Sequence, residues 1–368
     1  MSTLSGGVFA TGTGTGADAE LADLRDLVDD IGTRSAQARV GARRLPEVFD
    51  RDAWTGLCET GLSRLASDPE LGAGPTESAV VLRGLARHSV AVPAAESDLL
   101  AGWLTGVAGI EVPESGPLAI AIADGAADGA RVTGTARQVP WTRAAERVVL
   151  VVRTAGGLSA GAFAPDDLDI TDGHNLAGEP RDTVGFDLAA EDFVPIESVV
   201  VDELTRRGAW ARCVQCIGAL DAAAELSVAH ARERIQFGRP LSKFQAVQHS
   251  LAQLAGEVER ARAATELAVA AATDHGFASL QTDYAVTIAK VVVGRVVPLV
   301  ATTAHQLHGA IGVTIEHPLW SSTNRAHSWI TEFGSTGSHA RTLGRIALGA
   351  QVSEPAALWD VLTLGPAR

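Results

Sequence analysis

Two long stretches of helical periodicity enclose one that alternates like β-structure, and few folds accept that order within 368 residues. From about Glu20 to Val112, segments such as "ELADLRDLVDDIG" and "ESAVVLRGLARHSV" place apolar residues at i, i+3, i+4 and i+7. The Gly/Pro-rich "DPELGAGPTES" between them reads as a loop. From Pro113 to about Val201 the chain breaks into short runs: "PLAIAIAD", "RVTGTARQVPW", "ERVVLVVRT", "LSAGAFAP", "DTVGFDLA" and "SVVVDE". Turn residues bound each run, which predicts a small antiparallel barrel or sandwich. From about Leu204 the helical period returns. Phe244, Val247, Leu251, Leu254 and Val258 form a seam suited to a left-handed four-helix bundle or an oligomer core. A further long helix is expected from about Leu280 to Leu307. The expected fold class is α+β. A flexible tail (1–20) precedes an N-terminal helical domain (21–112), an antiparallel β-barrel or sandwich (113–203), a C-terminal four-helix bundle (204–350) and a C-terminal segment (351–368).

Several function classes fall away. The formal net charge is −14, and only Lys243 and Lys290 are lysines, so binding to a phosphate backbone is not expected and no nucleic acid is implied. No G-x-G-x-x-G lies between a strand and a helix, which removes the case for a nicotinamide site. The start "MSTLSGGVFATGTGTGADAE" lacks the basic and apolar parts of a secretory signal. The most apolar stretch, Ala285–Ala301, is interrupted by Lys290 and Arg295, so no membrane span and a cytoplasmic location are expected. Cys213 and Cys216 make a lone C-x-x-C in a helical pattern. With Cys58 far away and no second pair, they read as buried thiols rather than a metal site.

Two segments carry more information. "RERIQFGRPLSKFQAVQ" (232–248) joins two helical patterns through a Phe-Gly turn, and Gln245 and Gln248 share one side of the helix that follows. "QLHGAIGVTIEHPL" (306–319) ends a helix in a glycine-containing turn. Taken singly, an arginine in such a turn is ordinarily solvated or ion-paired, and Gly-Ala-Ile-Gly is ordinarily just a turn. Taken together, in this α–β–α order, they make about 330 residues of the chain resemble the acyl-CoA dehydrogenase family. That resemblance implies helical domains clasping a β-domain, with tetramers that bind FAD across subunit interfaces. It also implies that Arg234 meets the FAD pyrophosphate and that Phe237 and Gly238 shape the turn. Gln306 with the Gly309–Gly312 turn would hold the ADP part of a neighbour's FAD, and Gln245 and Gln248 would hydrogen-bond a planar polar ligand. The chemistry fits, because guanidinium pairs with phosphate oxygens and glycine lets backbone amides approach an anion.

The same resemblance exposes what is missing. The family removes an α-proton with a glutamate seven residues ahead of an arginine, and counting back from Arg341 gives Gly334. The alternative seat, aligned on Phe237-Gly238, gives Gly208. Glu332 is the one nearby carboxylate and would need a shifted loop to serve as base. The long flavin-facing loop is replaced by "AIAIADGAADGARVTG", where Asp124 and Asp128 read as turn formers, while Trp141 matches a family aromatic or is simply core. The pattern resembles the catalytically incomplete partner in heteromeric acyl-CoA dehydrogenases. There a homologous subunit completes an α2β2 tetramer that acts on a bulky acyl-CoA, such as a steroid side-chain thioester, and passes electrons to an electron-transfer acceptor. Two other expectations stand beside it: a homomeric flavoenzyme using Glu332, and a flavin-free scaffold.

Overall fold

The computed structural model describes residues 16–39 and 45–353. Helices α1 (Gly16–Ala38), α2 (Arg51–Glu59) and α3 (Pro75–Arg87) come first, then a π-helical turn, Ala95–Gly102, that runs into α4 (Trp103–Ala108). Seven strands follow: β1 (Leu118–Ala127), β2 (Arg131–Pro140), β3 (Arg147–Thr154), β4 (Gly157–Phe163), β5 (Asp169–Thr171), β6 (Arg181–Ala189) and β7 (Val194–Ile196). Helix α5 (Ser198–Glu233) leads to a small hairpin, β8 (Ile235–Gln236) and β9 (Arg239–Pro240). The chain then forms α6 (Gln245–His275), α7 (Leu280–His308), α8 (Pro318–Trp329) and α9 (Thr336–Ser353). Since α1 begins at Gly16, the last residues of the expected tail are helical; residues 1–15 and 354–368 lie outside those described. Two compact units result. One contains α2 and Val90–Gly208; the other contains α1, α3 and the chain from Ala209 onward.

In the first unit the strand order is β5-β6-β2-β1-β3-β4-β7. Alternate residues of three strands, Ala119/Ala121/Ala123, Val148/Leu150/Val152 and Val184/Phe186/Leu188, point into one core, as the period of two requires. The sheet is not wholly antiparallel as expected. Strand β2 pairs antiparallel with Gly125–Ala127 of β1, while Leu118–Asp124 pair in parallel with β3 on the other side of β1 in the strand order. Gly125 sits where β1 changes partner. A Cβ there would lie 2.6 Å from Val152 Cγ1 and 2.8 Å from the Thr133 carbonyl oxygen, so only glycine fits the crossing. Asp128 is a turn former, accepting the Arg131 N–H at 3.1 Å. Asp124 is not; it lies in β1 and pairs with Arg153 at 3.1 Å. Trp141 is core, 3% exposed and edge-on to Phe49.

In the second unit Asp221 of α5 binds Arg83 of α3 at 2.7 Å and Arg262 of α6 at 2.6 Å, tying three helices through one carboxylate. Trp210 is fully buried, donates its indole N–H to the Ala268 carbonyl and meets Phe277 edge-on at 5.4 Å. The α6 seam is buried only in its later part. Leu254 and Val258 are inside, whereas Phe244, Val247 and Leu251 remain partly exposed. By length and composition α7 is the one described helix apolar enough to cross a membrane, yet most of that stretch is buried within the protein. Cys213 and Cys216 are fully buried, and burial pushes the Cys213 thiol up to about 12 and the Cys216 thiol higher still. A thiol reagent at pH 8 is therefore expected to titrate Cys58 alone in the native chain and all three cysteines in denaturant; fast labelling of Cys213 or Cys216 without denaturant would contradict this packing.

Candidate functional site

The β8–β9 hairpin interrupts the path from α5 to α6. Its ladder pairs Ile235 with Pro240 and Gln236 with Arg239, so the loop is two residues long. Such a loop with both central residues at positive φ twists the way the strands do, and Phe237 at +52° and Gly238 at +79° satisfy it. For phenylalanine this conformation is strained. The strain buys no burial: Phe237 is 91% exposed, resting only edge-on against Phe244 at 6.1 Å, with the Arg239 guanidinium 4.2 Å over the Phe244 ring. Arg234 sits at the base of the hairpin, its amide bonded to the His230 carbonyl and its carbonyl to the Leu241 amide. Its side chain is exposed and has no ion-pair partner among the described residues. Gln245, the first residue of α6, is exposed. The Gln248 amide donates to the Ser242 carbonyl at 3.0 Å, so part of its hydrogen-bonding capacity is spent locally.

The second motif is a turn, Gly309–Val313, between α7 and α8. Gln306 is exposed on the last turn of α7. Gly309 ends that helix at φ +64°. Gly312 is buried, and a Cβ there would come within 2.8 Å of His308 Cβ and 3.1 Å of Leu319 Cδ2. The first glycine is thus set by backbone conformation and the second by packing beneath the turn. Ile311 and Val313 remain exposed, and His317 caps α8 by accepting the Leu319 N–H.

The segment from Ile330 to Thr336 is where a base was expected, and it is pinned from below. Lys290 of α7 is fully buried and donates to the Ile330 and Glu332 carbonyls, each at 2.7 Å. Arg212 of α5, 2% exposed, grips one Glu332 carboxylate oxygen through Nε and Nη2, both at 2.7 Å. That oxygen is engaged in a charge-assisted pair rather than open to a substrate proton. Phe333 and Gly334 then turn through φ +52° and +101°. His339 Nε2 donates to the Phe333 carbonyl at 3.2 Å, and burial lowers the His339 pKa, which keeps the ring neutral. A Cβ on Gly334 would stand 2.6 Å from that same Nε2. A glutamate at 334 would have to strain the backbone and displace an imidazole. Gly208 lies buried in α5, and the β1–β2 connection is a tight turn with Gly129 at φ +92°. Sequence reasoning missed Lys290, Arg212 and His339; the one available signal was a lysine inside an otherwise apolar helix.

The C-terminal domain model of acyl-CoA dehydrogenase matches residues 199–348, the region that holds both motifs and the pinned loop. Over those residues the chain is of the acyl-CoA dehydrogenase C-terminal domain family. Acyl-CoA dehydrogenase IpdE2 of Mycolicibacterium smegmatis is 27% identical over 302 residues, covering 80% of this chain and 88% of that protein. The crystal structure of the ChsE4–ChsE5 complex from Mycobacterium tuberculosis is similar at a TM-score of 0.77 and 25% identity, covering 90% of this chain and 97% of that one. The Tcur3481–Tcur3483 steroid ACAD shares the fold at a TM-score of 0.77 and 23% identity, covering 90% of this chain and 99% of its own.

Within this acyl-CoA dehydrogenase fold, Gly334→Ala is expected to cost about 1–3 kcal/mol for strain at a disallowed φ and contact with His339. His339→Ala in the same chain should recover the contact part. Urea unfolding of the two single variants and the double variant measures both, and additive losses would argue against the contact.

Proposed function

We propose that this chain is the non-catalytic, cofactor-gripping subunit of a heterotetrameric, FAD-dependent acyl-CoA dehydrogenase, in which a homologous subunit supplies the base. The observation that carries the reading is Gly334: the seat where the resemblance expects a carboxylate is held at positive φ and closed by His339. Glu332 is a poor substitute because its carboxylate is paired with Arg212. Against this loss, the outward-facing groups remain. Arg234 presents a guanidinium with no ion-pair partner among the described residues, and Phe237, Gln245 and Gln306 are exposed. Exposed groups of this kind suit a dinucleotide lodged mainly in a neighbouring subunit better than one enclosed by this chain.

In this reading Arg234 pairs with the pyrophosphate, a fixed cation against a doubly charged group. Gln306 and the Gly309–Gly312 turn receive the ADP end, and Gln245 and the free carbonyl side of Gln248 orient the cofactor's polar edge. FAD, when bound, would supply the acceptor for a hydride from the β-carbon. The partner's carboxylate removes the α-proton, and the reaction is α,β-desaturation of an acyl-CoA thioester by a cytoplasmic complex that hands its electrons to a further acceptor. The similar ChsE4–ChsE5 complex supports a two-chain assembly, and the Tcur3481–Tcur3483 steroid ACAD, which shares the fold, supports a bulky, steroid-type acyl group.

Flavin absorbance decides between the readings. The chain purified alone should be colourless or insoluble, and co-purification with its homologous partner should give a yellow, active complex. Arg234→Ala should cut the FAD retained by that complex on the order of tenfold, as loss of a charge-assisted phosphate contact does. A yellow, active protein made from this chain alone would overturn the proposal, and unchanged flavin in the Arg234 variant would favour a flavin-free scaffold.

A further inference from the structure

Three imidazoles stack between the hairpin and the glycine turn. His230, in the last turn of α5, lies nearly parallel to His308 at the end of α7, with ring centroids 4.6 Å apart and planes 27° apart. His317, the cap of α8, meets His308 edge-on at 4.8 Å and 66°. His308 is the shared ring, and it is 6% exposed. Its Nδ1 lies 2.7 Å from the Ala304 carbonyl. A carbonyl only accepts, so the proton of the neutral ring sits on Nδ1. Nε2 is left bare, and it is buried with no hydrogen-bond partner among the described residues. An unpaired buried acceptor costs stability, and its retention in the native fold asks for a use.

Each ring belongs to a segment with a candidate cofactor contact. Arg234 follows His230 by one helical turn, and its amide bonds the His230 carbonyl. Gln306 precedes His308 by two residues, Gly309 follows it directly, and Gly312 packs against the His308 Cβ. His317 begins the helix behind the turn.

We propose that His308 is the positioning residue of the cofactor grip: as the shared ring of the stack it fixes Arg234 relative to the Gly309–Gly312 turn. The proposal rests on the FAD reading above. The groups facing the stack are nearly all cationic or able to become so. Arg234 and Glu233 flank His230, His305 lies one turn back on α7 with His327 of α8 acting on it, and Glu316 adjoins His317 in the chain. Burial lowers the His230 pKa first, then His308 and Arg234, with Glu233 alone opposing. Burial likewise lowers that of His305, followed by His308 and His327. A histidine whose folded pKa lies below its unfolded value leaves the native state fully stable above that unfolded value, about 6.5. As pH falls through it, the unfolded chain binds more protons than the native one and stability is lost.

The test uses His308→Leu, with His308→Asn as a second variant that keeps a donor for the Ala304 carbonyl. In the co-purified complex at pH 7.5, both variants should bind FAD more weakly, by on the order of tenfold for His308→Leu and less for His308→Asn. Wild type should release FAD as pH falls from about 7.5 to 5.5, and this acid limb should flatten in both variants. Melting of the same complexes stripped of flavin, across that pH range, reads the stack without the cofactor. The thermal midpoint of wild type should drop below about pH 6.5 more steeply than that of either variant. Identical acid limbs in the melting of wild type and both variants would overturn the stack as a coupling device. A flattened melting limb with FAD retention indifferent to Arg234→Ala would instead overturn the cofactor reading and leave the stack standing.

Discussion

The Ile330 carbonyl at the cap of α8 and the Glu332 carbonyl two residues beyond it are both met by one buried ammonium. Lys290 comes from α7, one of the most apolar helices in the chain, and burial lowers its pKa against the opposing pull of Cys213, Cys216 and Glu332. A cation is favoured at a helix C-terminus, where carbonyl dipoles converge, and two direct carbonyl contacts offset its desolvation. One turn further on the same face of α7, Gly294 leaves room for Thr336, the first residue of α9. The loop between α8 and α9 is therefore gripped at both ends by one helix. With the Glu332 carbonyl turned toward Lys290, its carboxylate meets Arg212, and the next two residues take positive φ. The absence of a base at 334 belongs to the whole loop rather than to one substitution.

The two family motifs show the opposite economy. The hairpin places a phenylalanine in a strained conformation and leaves it in solvent, and the glycine turn exposes Ile311 and Val313. Beside them, the first part of the α6 seam is only half-buried. Stability within this chain does not explain such choices, since each forgoes burial. They make sense if another subunit and its cofactor cover these surfaces, which is the sense of the proposed assembly.

Much of the architecture was legible in the sequence because periodicity is local. The strand texture of "ERVVLVVRT" and the helical runs around Leu254 and Leu280 correspond to β3, α6 and α7. The parallel pairing of β1 with β3 was not legible, because local alternation marks a strand without naming its partner or their relative direction. Asp124 looked like a turn residue because it precedes glycine; the turn begins four residues later, at Asp128. At the site, the Phe-Gly turn and the Gly309 cap followed from residue type. The roles of Lys290, Arg212 and His339 did not, since each acts on a loop distant in sequence or folded back from a helix start. The imidazole stack was equally hidden: His230 and His317 are 87 positions apart, and only the ends of α5 and α7 bring them to His308.

The central claim is that this chain holds cofactor contacts but takes no proton. Its most direct test is α-proton exchange in the assembled complex, with the partner's catalytic carboxylate changed to the amide. The complex is incubated with a saturated acyl-CoA in deuterated water, and deuterium at the α-carbon is followed by mass spectrometry. The account predicts exchange no faster than in buffer without protein. Enzyme-dependent exchange that persists in this complex, and disappears on Glu332→Gln, would show that the chain carries its own base and would contradict the account.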